Sequence, residues 1–192
     1  MTTFTTHTIE SAPEASKPLL ESAKNAYSFV PNLLATMGEA PALLEGYMAL
    51  ASIFEKTNLS ETERQVIQLT NNRLNGCMYC MAAHTSISQM AGVKPDVIEA
   101  LRNDMPIADA KLEALRTFTT VINQSRGWPS EAEINVFLEA GYTQQNILEV
   151  ILGTSLKVMS NYTNHIAETA LDDAFAANAW SGANTATESL AP

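Results

Sequence analysis

Residues 76 to 84 read Gly-Cys-Met-Tyr-Cys-Met-Ala-Ala-His, placing the only two cysteines of the chain three apart and a histidine four beyond the second. Side chains at those spacings on a helix are neighbours, roughly 5–6 Å apart at Cβ, so Cys80 can touch both Cys77 and His84. Two such thiols can close a small disulfide ring, and an adjacent imidazole can take a proton to leave the reactive thiolate. This is the minimal equipment of a dithiol redox site. A zinc site fails on ligand count: a structural site wants four Cys or His ligands, and beyond the cysteines the chain offers only His7, His84 and His165. The blander reading makes the cysteines small buried apolar residues and His84 a cap on a carbonyl. A pair used nowhere else, with a histidine in register, favours chemistry.

Such a site needs helices to hold it, and the chain reads as helical almost throughout. Ser60 with Glu63 is a capping box that starts a helix running to about 74, which Asn75-Gly76 breaks. The next helix therefore begins beside Cys77 and stops near Gly92. Its first-turn amides carry partial positive charge, which favours a thiolate at Cys77 and, less directly, at Cys80. Other helices are expected over 14–28, from Pro41 with a core stripe of Leu44, Tyr47, Met48, Ala51 and Phe54, over 95–103 and over 108–124. Ser130 with Glu133 caps one ending at Gly141, and a long one runs from Thr143 to about 170. Trp128, Trp180 and Tyr162 read as core or interface filling. The expected layout is an N-terminal tail (1–12), one helical domain (13–180) and a C-terminal tail (181–192), disordered or an exchanged arm.

Bulk properties narrow the function. A net charge of −10 with eleven scattered basic residues argues against nucleic acid or an anionic membrane as partner. With neither a signal-like start nor a spanning apolar run, a soluble cytoplasmic protein is expected, where a lone cysteine pair is catalytic or redox-sensing rather than a staple. No motif for a nucleotide, flavin or haem is visible, so no cofactor or metal is expected. Two further residues are relay candidates. Glu149, inside Ile147-Leu148-Glu149-Val150-Ile151, must escape to solvent or find a partner. His165, with Asn161 one turn earlier, could line the same cavity.

The run Asn75-Gly-Cys-Met-Tyr-Cys-Met-Ala-Ala-His-Thr85, together with Val30-Pro-Asn-Leu-Leu34, Leu59-Ser-Glu-Thr-Glu-Arg64, Asn161-Tyr-Thr-Asn-His165 and Leu171-Asp172, resembles the AhpD-like alkylhydroperoxidase and carboxymuconolactone decarboxylase superfamily, in particular its peroxidase-related branch. The resemblance spans about residues 28 to 175. It implies an all-α, AhpD-like fold assembling into dimers, trimers or hexamers, and a cofactor-independent peroxidase fed by a hydroperoxide and a lipoyl-, thioredoxin- or glutathione-type dithiol. It implies Cys80 as the attacking thiolate, Cys77 as the resolving thiol and His84 as proton shuttle. The family pattern also has a glutamate twelve residues before the first cysteine, where this chain has Gln65. An amide can orient His84 but neither accept its proton nor pair with an imidazolium. Glu61, one turn back, or Glu149 would have to substitute; otherwise the departure implies a weakened peroxidase or another reaction on the scaffold. Two rival readings are a non-redox decarboxylase-like enzyme and a redox-sensing oligomeric module.

Overall fold

The computed structural model describes residues 3–182, in which helices α1 (Lys17–Tyr27), α2 (Asn32–Met37), α3 (Pro41–Phe54), α4 (Glu61–Leu74), α5 (Met78–Met90), α6 (Pro95–Asn103), α7 (Ala110–Ser125), α8 (Glu131–Glu139) and α9 (Gln144–Ala167) follow one another, with 3-10 turns at Glu14–Ser16 and Asp173–Asn178. No strand occurs among the described residues. The starts are those the sequence encodes: Ser60 and Ser130 each form a complete capping box, and Thr143 with Asn146 forms a third. The short α2, unforeseen behind the Val30-Pro31 break, is buried at every residue but its first, Asn32.

α4 is the central element, packed against α5, α6, α7 and α9. Its Val66, Ile67 and Leu69 are buried in one apolar cluster with Phe54, Leu101, Leu115, Phe118, Phe137 and Leu156. A second cluster gathers Leu20, Leu33, Leu34, Met37 and Leu44 around Cys77, Tyr79 and Cys80, with Phe175 closing it. The cysteine helix thus lies where the two clusters meet. The segment expected as an N-terminal tail lies on the domain, with the His7 amide donating to the Ala35 carbonyl at 3.3 Å and Ala12 buried. The arm expected from 181 falls, beyond residue 182, outside the described residues.

The C-terminal segment is strapped down by polar contacts. Asp172 accepts the Tyr79 hydroxyl at 2.5 Å and the Asn32 amide at 3.1 Å, and Arg102 donates to the carbonyls of Asn178 and Ala179. Trp180 is partly buried against the core, whereas Trp128 is 85 % exposed and Tyr162 exposed. The aromatic ring of Trp128 sits in the turn after α7, where no helix passes over it, so it fills no core in this chain.

Gly153 lets α9 approach α3 and α4, because a Cβ there would stand 2.7 Å from Phe54 Cζ and 2.8 Å from Ile67 Cγ2. Gly153→Ala is expected to lower stability by about 1–3 kcal/mol through overpacking, despite the better helix propensity of alanine; a denaturation midpoint equal to or above that of the native protein would contradict this.

Candidate active site

The turn that delivers the cysteines is built by the end of α4. Gly76, at a left-handed φ of +67°, allows the amide of Gly76 to reach Arg73 O (3.0 Å) and that of Cys77 to reach Asn72 O (2.9 Å). This is the paired bonding of a Schellman stop. Cys77 is thus both the last residue tied to α4 and the N-cap of α5, which puts Cys80 in the first turn, where unpaired amides favour negative charge.

A ladder of buried amides fixes that turn against the rest of the fold. Asn72 Nδ2 donates to Cys80 O (3.1 Å) and Asn161 Nδ2 donates to Asn72 Oδ1 (3.0 Å). Asn75 Nδ2 donates to Asn161 Oδ1 (2.8 Å), and Asn123 Nδ2 reaches both Asn75 Oδ1 and Asn71 Oδ1. The ladder ties α4, α7 and α9 to the cysteine helix. On α9 it brings a polar stripe of Lys157, Ser160, Asn161 and Asn164 to face the sulfurs, all of it buried.

Both cysteines are free thiols, 1 % and 2 % exposed. Burial alone would push the Cys80 thiol up, but the Cys77 S–H, the Lys157 ammonium, the Ser160 hydroxyl and the Asn161 amide outweigh it and hold Cys80 below an ordinary thiol. Cys77 moves the opposite way, held as a thiol by its hydrogen bond to the Cys80 sulfur and by burial. Asn164 Nδ2 points at Cys80 Sγ (3.2 Å) and Cys77 Sγ (3.7 Å) while its own Oδ1 has no partner among the described residues. That amide N–H is a donor which a thiolate can accept.

His84 does not bond Cys80. Lys157 Nζ lies 2.9 Å from His84 Nε2, and Gln65 Oε1 lies 3.0 Å from His84 Nδ1. An ammonium only donates, so Nε2 accepts, Nδ1 carries the proton and Gln65 accepts it. Burial and then the Lys157 charge push the histidine pKa well below its ordinary value, so the ring is neutral at pH 7. The chain continues outward as Gln65 Nε2 donates to Glu61 Oε1 (2.8 Å) and Arg64 Nη2 to Glu61 Oε2 (2.7 Å). Burial opposes ionisation of Glu61, but the Gln65 and Arg64 donors bring its pKa below the ordinary carboxyl value.

These groups floor a cavity of about 510 Å³ whose walls include Tyr27, Phe29, Leu33, Tyr47, Phe54 and Phe175. The stripe of α3 expected as core therefore divides: Leu44 is buried in the core, whereas Tyr47, Ala51 and Phe54 also wall the cavity. Of the residues the sequence nominated, Cys80, His84, Gln65 and Glu61 line it, with Cys77 buried behind. Glu149 and His165 do not. Glu149 is buried but accepts from the Asn58 amide (3.0 Å), Gln145 and Asn146, so it fastens the α3–α4 loop. His165 is exposed, one position past Asn164 and round the helix from the sulfurs. Lys157 was not foreseen. Its signal in the sequence is the repeat of polar residues at 157, 160, 161 and 164 along one helical face. Among the described residues no cluster of His, Cys, Asp and Glu could hold a metal.

The carboxymuconolactone decarboxylase family model matches residues 41–121. The fold is similar to that of an uncharacterised peroxidase-related AhpD-core protein from Ralstonia eutropha JMP134, at 20 % identity and a TM-score of 0.78, covering 90 % of this chain and 93 % of that one. It is similar also to a peroxidase-related protein from Silicibacter sp. TM1040, at 20 % identity and a TM-score of 0.74 over 85 % and 87 % of the two chains. A cysteine-to-alanine variant of the debrominase Bmp8, in complex with 2,3,4-tribromopyrrole, gives 17 % identity and a TM-score of 0.77 over 93 % and 96 %. No curated protein matches the chain in sequence.

Burial and the Lys157 charge keep His84 neutral, and the Gln65 amide at its Nδ1 side brings no charge to oppose them. Gln65→Glu would set a carboxylate there and is expected to raise the His84 pKa by about one unit or more, read from imidazole resonances against pH; an unmoved titration would contradict the geometry above.

Proposed function

We propose that the chain is a cofactor-independent dithiol peroxidase of the AhpD and carboxymuconolactone decarboxylase superfamily, a reading supported by the family model that matches residues 41–121 and by the similar fold of the peroxidase-related proteins. The observation that carries the reading is the asymmetry of the two sulfurs: Cys80 held toward the thiolate at the floor of an apolar cavity, Cys77 held as a thiol and buried behind it. The Cys80 thiolate attacks the distal oxygen of a hydroperoxide, the O–O bond breaks, and Cys80 becomes a sulfenic acid while an alkoxide leaves and is protonated to the alcohol. Cys77 then displaces the hydroxyl of that sulfenic acid, giving the Cys77–Cys80 disulfide and water. An external dithiol returns the pair to its reduced form by exchange. The burial of both sulfurs favours a slender reductant able to enter the cavity.

Self-association is part of the proposal. α9 leaves Leu148, Ile151, Tyr162 and Ile166 exposed along its outer side, and an apolar helix face of that kind is suited to a second copy of the chain. A soluble cytoplasmic setting is consistent with the free thiols, and no described helix is long and apolar enough to cross a membrane.

A second reading is favoured by the cavity walls. Aromatic rings above a thiolate also suit a small halogenated aromatic, the kind of molecule held by the debrominase neighbour. There Cys80 would take the halogen as a sulfenyl halide while the ring carbon gains a proton, and Cys77 would displace halide to give the same disulfide.

Cumene hydroperoxide and dihydrolipoamide test the leading reading. The native protein is expected to consume the peroxide, Cys80→Ser to lose turnover by at least about a thousandfold, as expected for an essential nucleophile, and Cys77→Ser to stop at the sulfenic acid. Turnover that survives Cys80→Ser would overturn the proposal.

A further inference from the structure

Among the described residues Lys157 is the one charged group at the floor of the cavity, and its surroundings are unusual. Its side chain is 0 % exposed, and its only hydrogen-bond partner among the described residues is the neutral His84 ring, with no carboxylate in contact. Burying an ammonium costs several kcal/mol unless an anion lies nearby. The groups that face this part of the site are Tyr47 from α3, Gln65 from α4, Cys77, Cys80 and His84 from α5 and its N-cap, and Ser160, Asn161 and Asn164 from α9 itself. Tyr47 is held as a phenol by burial and then by the neighbouring sulfur. Glu61, Arg64 and Glu55 line the cavity further out, and Glu61 spends its charge on Gln65 and Arg64. The anion that matches Lys157 is the Cys80 thiolate.

His84 is ill placed to move protons. Both ring nitrogens are occupied, and a proton passed outward from Nδ1 would end on the Gln65 amide, which cannot relay it to Glu61. The same contact makes the ring a fixed acceptor that aims Lys157 along the cavity floor.

We infer that Lys157 is the acid–base partner of Cys80, stabilising the resting thiolate as an ammonium and giving the proton that the departing oxygen needs, with His84 as its anchor. The inference rests on the dithiol reading and deepens it. In the first step the thiolate takes the distal OH, the O–O electron pair leaves with the alkoxide, and one Lys157 proton converts it to the alcohol, leaving a neutral amine. In the second step that amine takes the Cys77 proton, the new thiolate attacks the sulfenic acid, and the displaced hydroxide recovers the proton as water. The oxidised site then holds a disulfide beside a neutral amine, so no unpaired charge is left buried. The two protons of the reducing dithiol go to Cys77 and Lys157, restoring the ion pair.

The test compares the native protein with Lys157→Met, which nearly keeps the side-chain volume and removes the charge; the Cys80 sulfur left without its partner can take up a proton, so no unpaired charge need stay buried. Two reactions of Cys80 are followed against pH: alkylation by iodoacetamide, whose leaving group needs no acid, and oxidation by cumene hydroperoxide. For the native protein alkylation should rise to a plateau, whereas oxidation should rise and then fall along an alkaline limb, the signature of a general acid acting on the departing oxygen. Lys157→Met should shift the alkylation midpoint up by about one unit or more, abolish the alkaline limb and slow oxidation by about a hundredfold or more. Lys157→Arg should keep the low midpoint yet lose the limb, because the guanidinium stays charged. An unchanged midpoint, or an alkaline limb that persists in Lys157→Met, would overturn the inference. A native protein inert to hydroperoxide would instead overturn the peroxidase reading, and the alkylation midpoints would still decide whether Lys157 holds the thiolate.

Discussion

A positive charge buried without a carboxylate organises this molecule. The Lys157 ammonium is sealed from water among α3, α4, α5 and α9, and what surrounds it is explained by the need to make that tolerable. A neutral imidazole accepts one of its protons, an uncharged amide at position 65 accepts from the other side of that ring, and a thiol at a helix N-terminus, which the lysine charge favours as a thiolate, can carry the compensating negative charge. Each of these choices depends on the others. A carboxylate at position 65 would favour an imidazolium, which would compete with the lysine for the same space and the same anion. Gln65, where the resemblance implies a glutamate, therefore reads as part of a consistent arrangement in which the charge stands on the α9 side of the histidine rather than the α4 side.

Geometry of this quality needs a rigid frame, and the frame is polar where a core is usually apolar. The ladder from Asn123 through Asn71, Asn75, Asn161 and Asn72 to the Cys80 carbonyl crosses the centre of the bundle, with Asn71, Asn72 and Asn161 fully buried. Buried amides are costly when unpaired and directional when paired, so the ladder accepts one register of α9 against α4 and α5. That register turns Lys157, Ser160, Asn161 and Asn164 toward the sulfurs and His165 away from them. Gly153 sets the distance by letting α9 sit against Phe54 and Ile67, while the strap through Asp172 and Tyr79 places Phe175 over the apolar side of the cavity.

Much of this was legible before any coordinates. The capping boxes at Ser60 and Ser130, the stop at Gly76 and the long helix after Thr143 are written in local chemistry, and local chemistry is what fixes helix ends. The cysteine pair and His84 stand out because their residue types are rare and their spacing matches a helix. Lys157 does not stand out. A single lysine in an amphipathic helix is ordinarily a solvated residue, and only the tertiary packing of α9 turns it inward. Glu149 misled for the same reason, since an acid among apolar neighbours looks poised for chemistry, yet here it satisfies the Asn58 amide of a loop distant in sequence. The role of His84 was the subtlest case: residues four apart on a helix can meet, but each ring nitrogen found a stronger partner on another helix.

In the proposed reaction Cys77 and Cys80 act as one two-electron unit, with Cys80 on the cavity floor and Cys77 buried behind it. Intact mass measurement of the reduced protein after one equivalent of an organic hydroperoxide tests it most directly. The account predicts the loss of two hydrogens through a Cys77–Cys80 cross-link and no retained oxygen. A protein left unchanged, or one that holds added oxygen on Cys80 while Cys77 remains a free thiol, would contradict it.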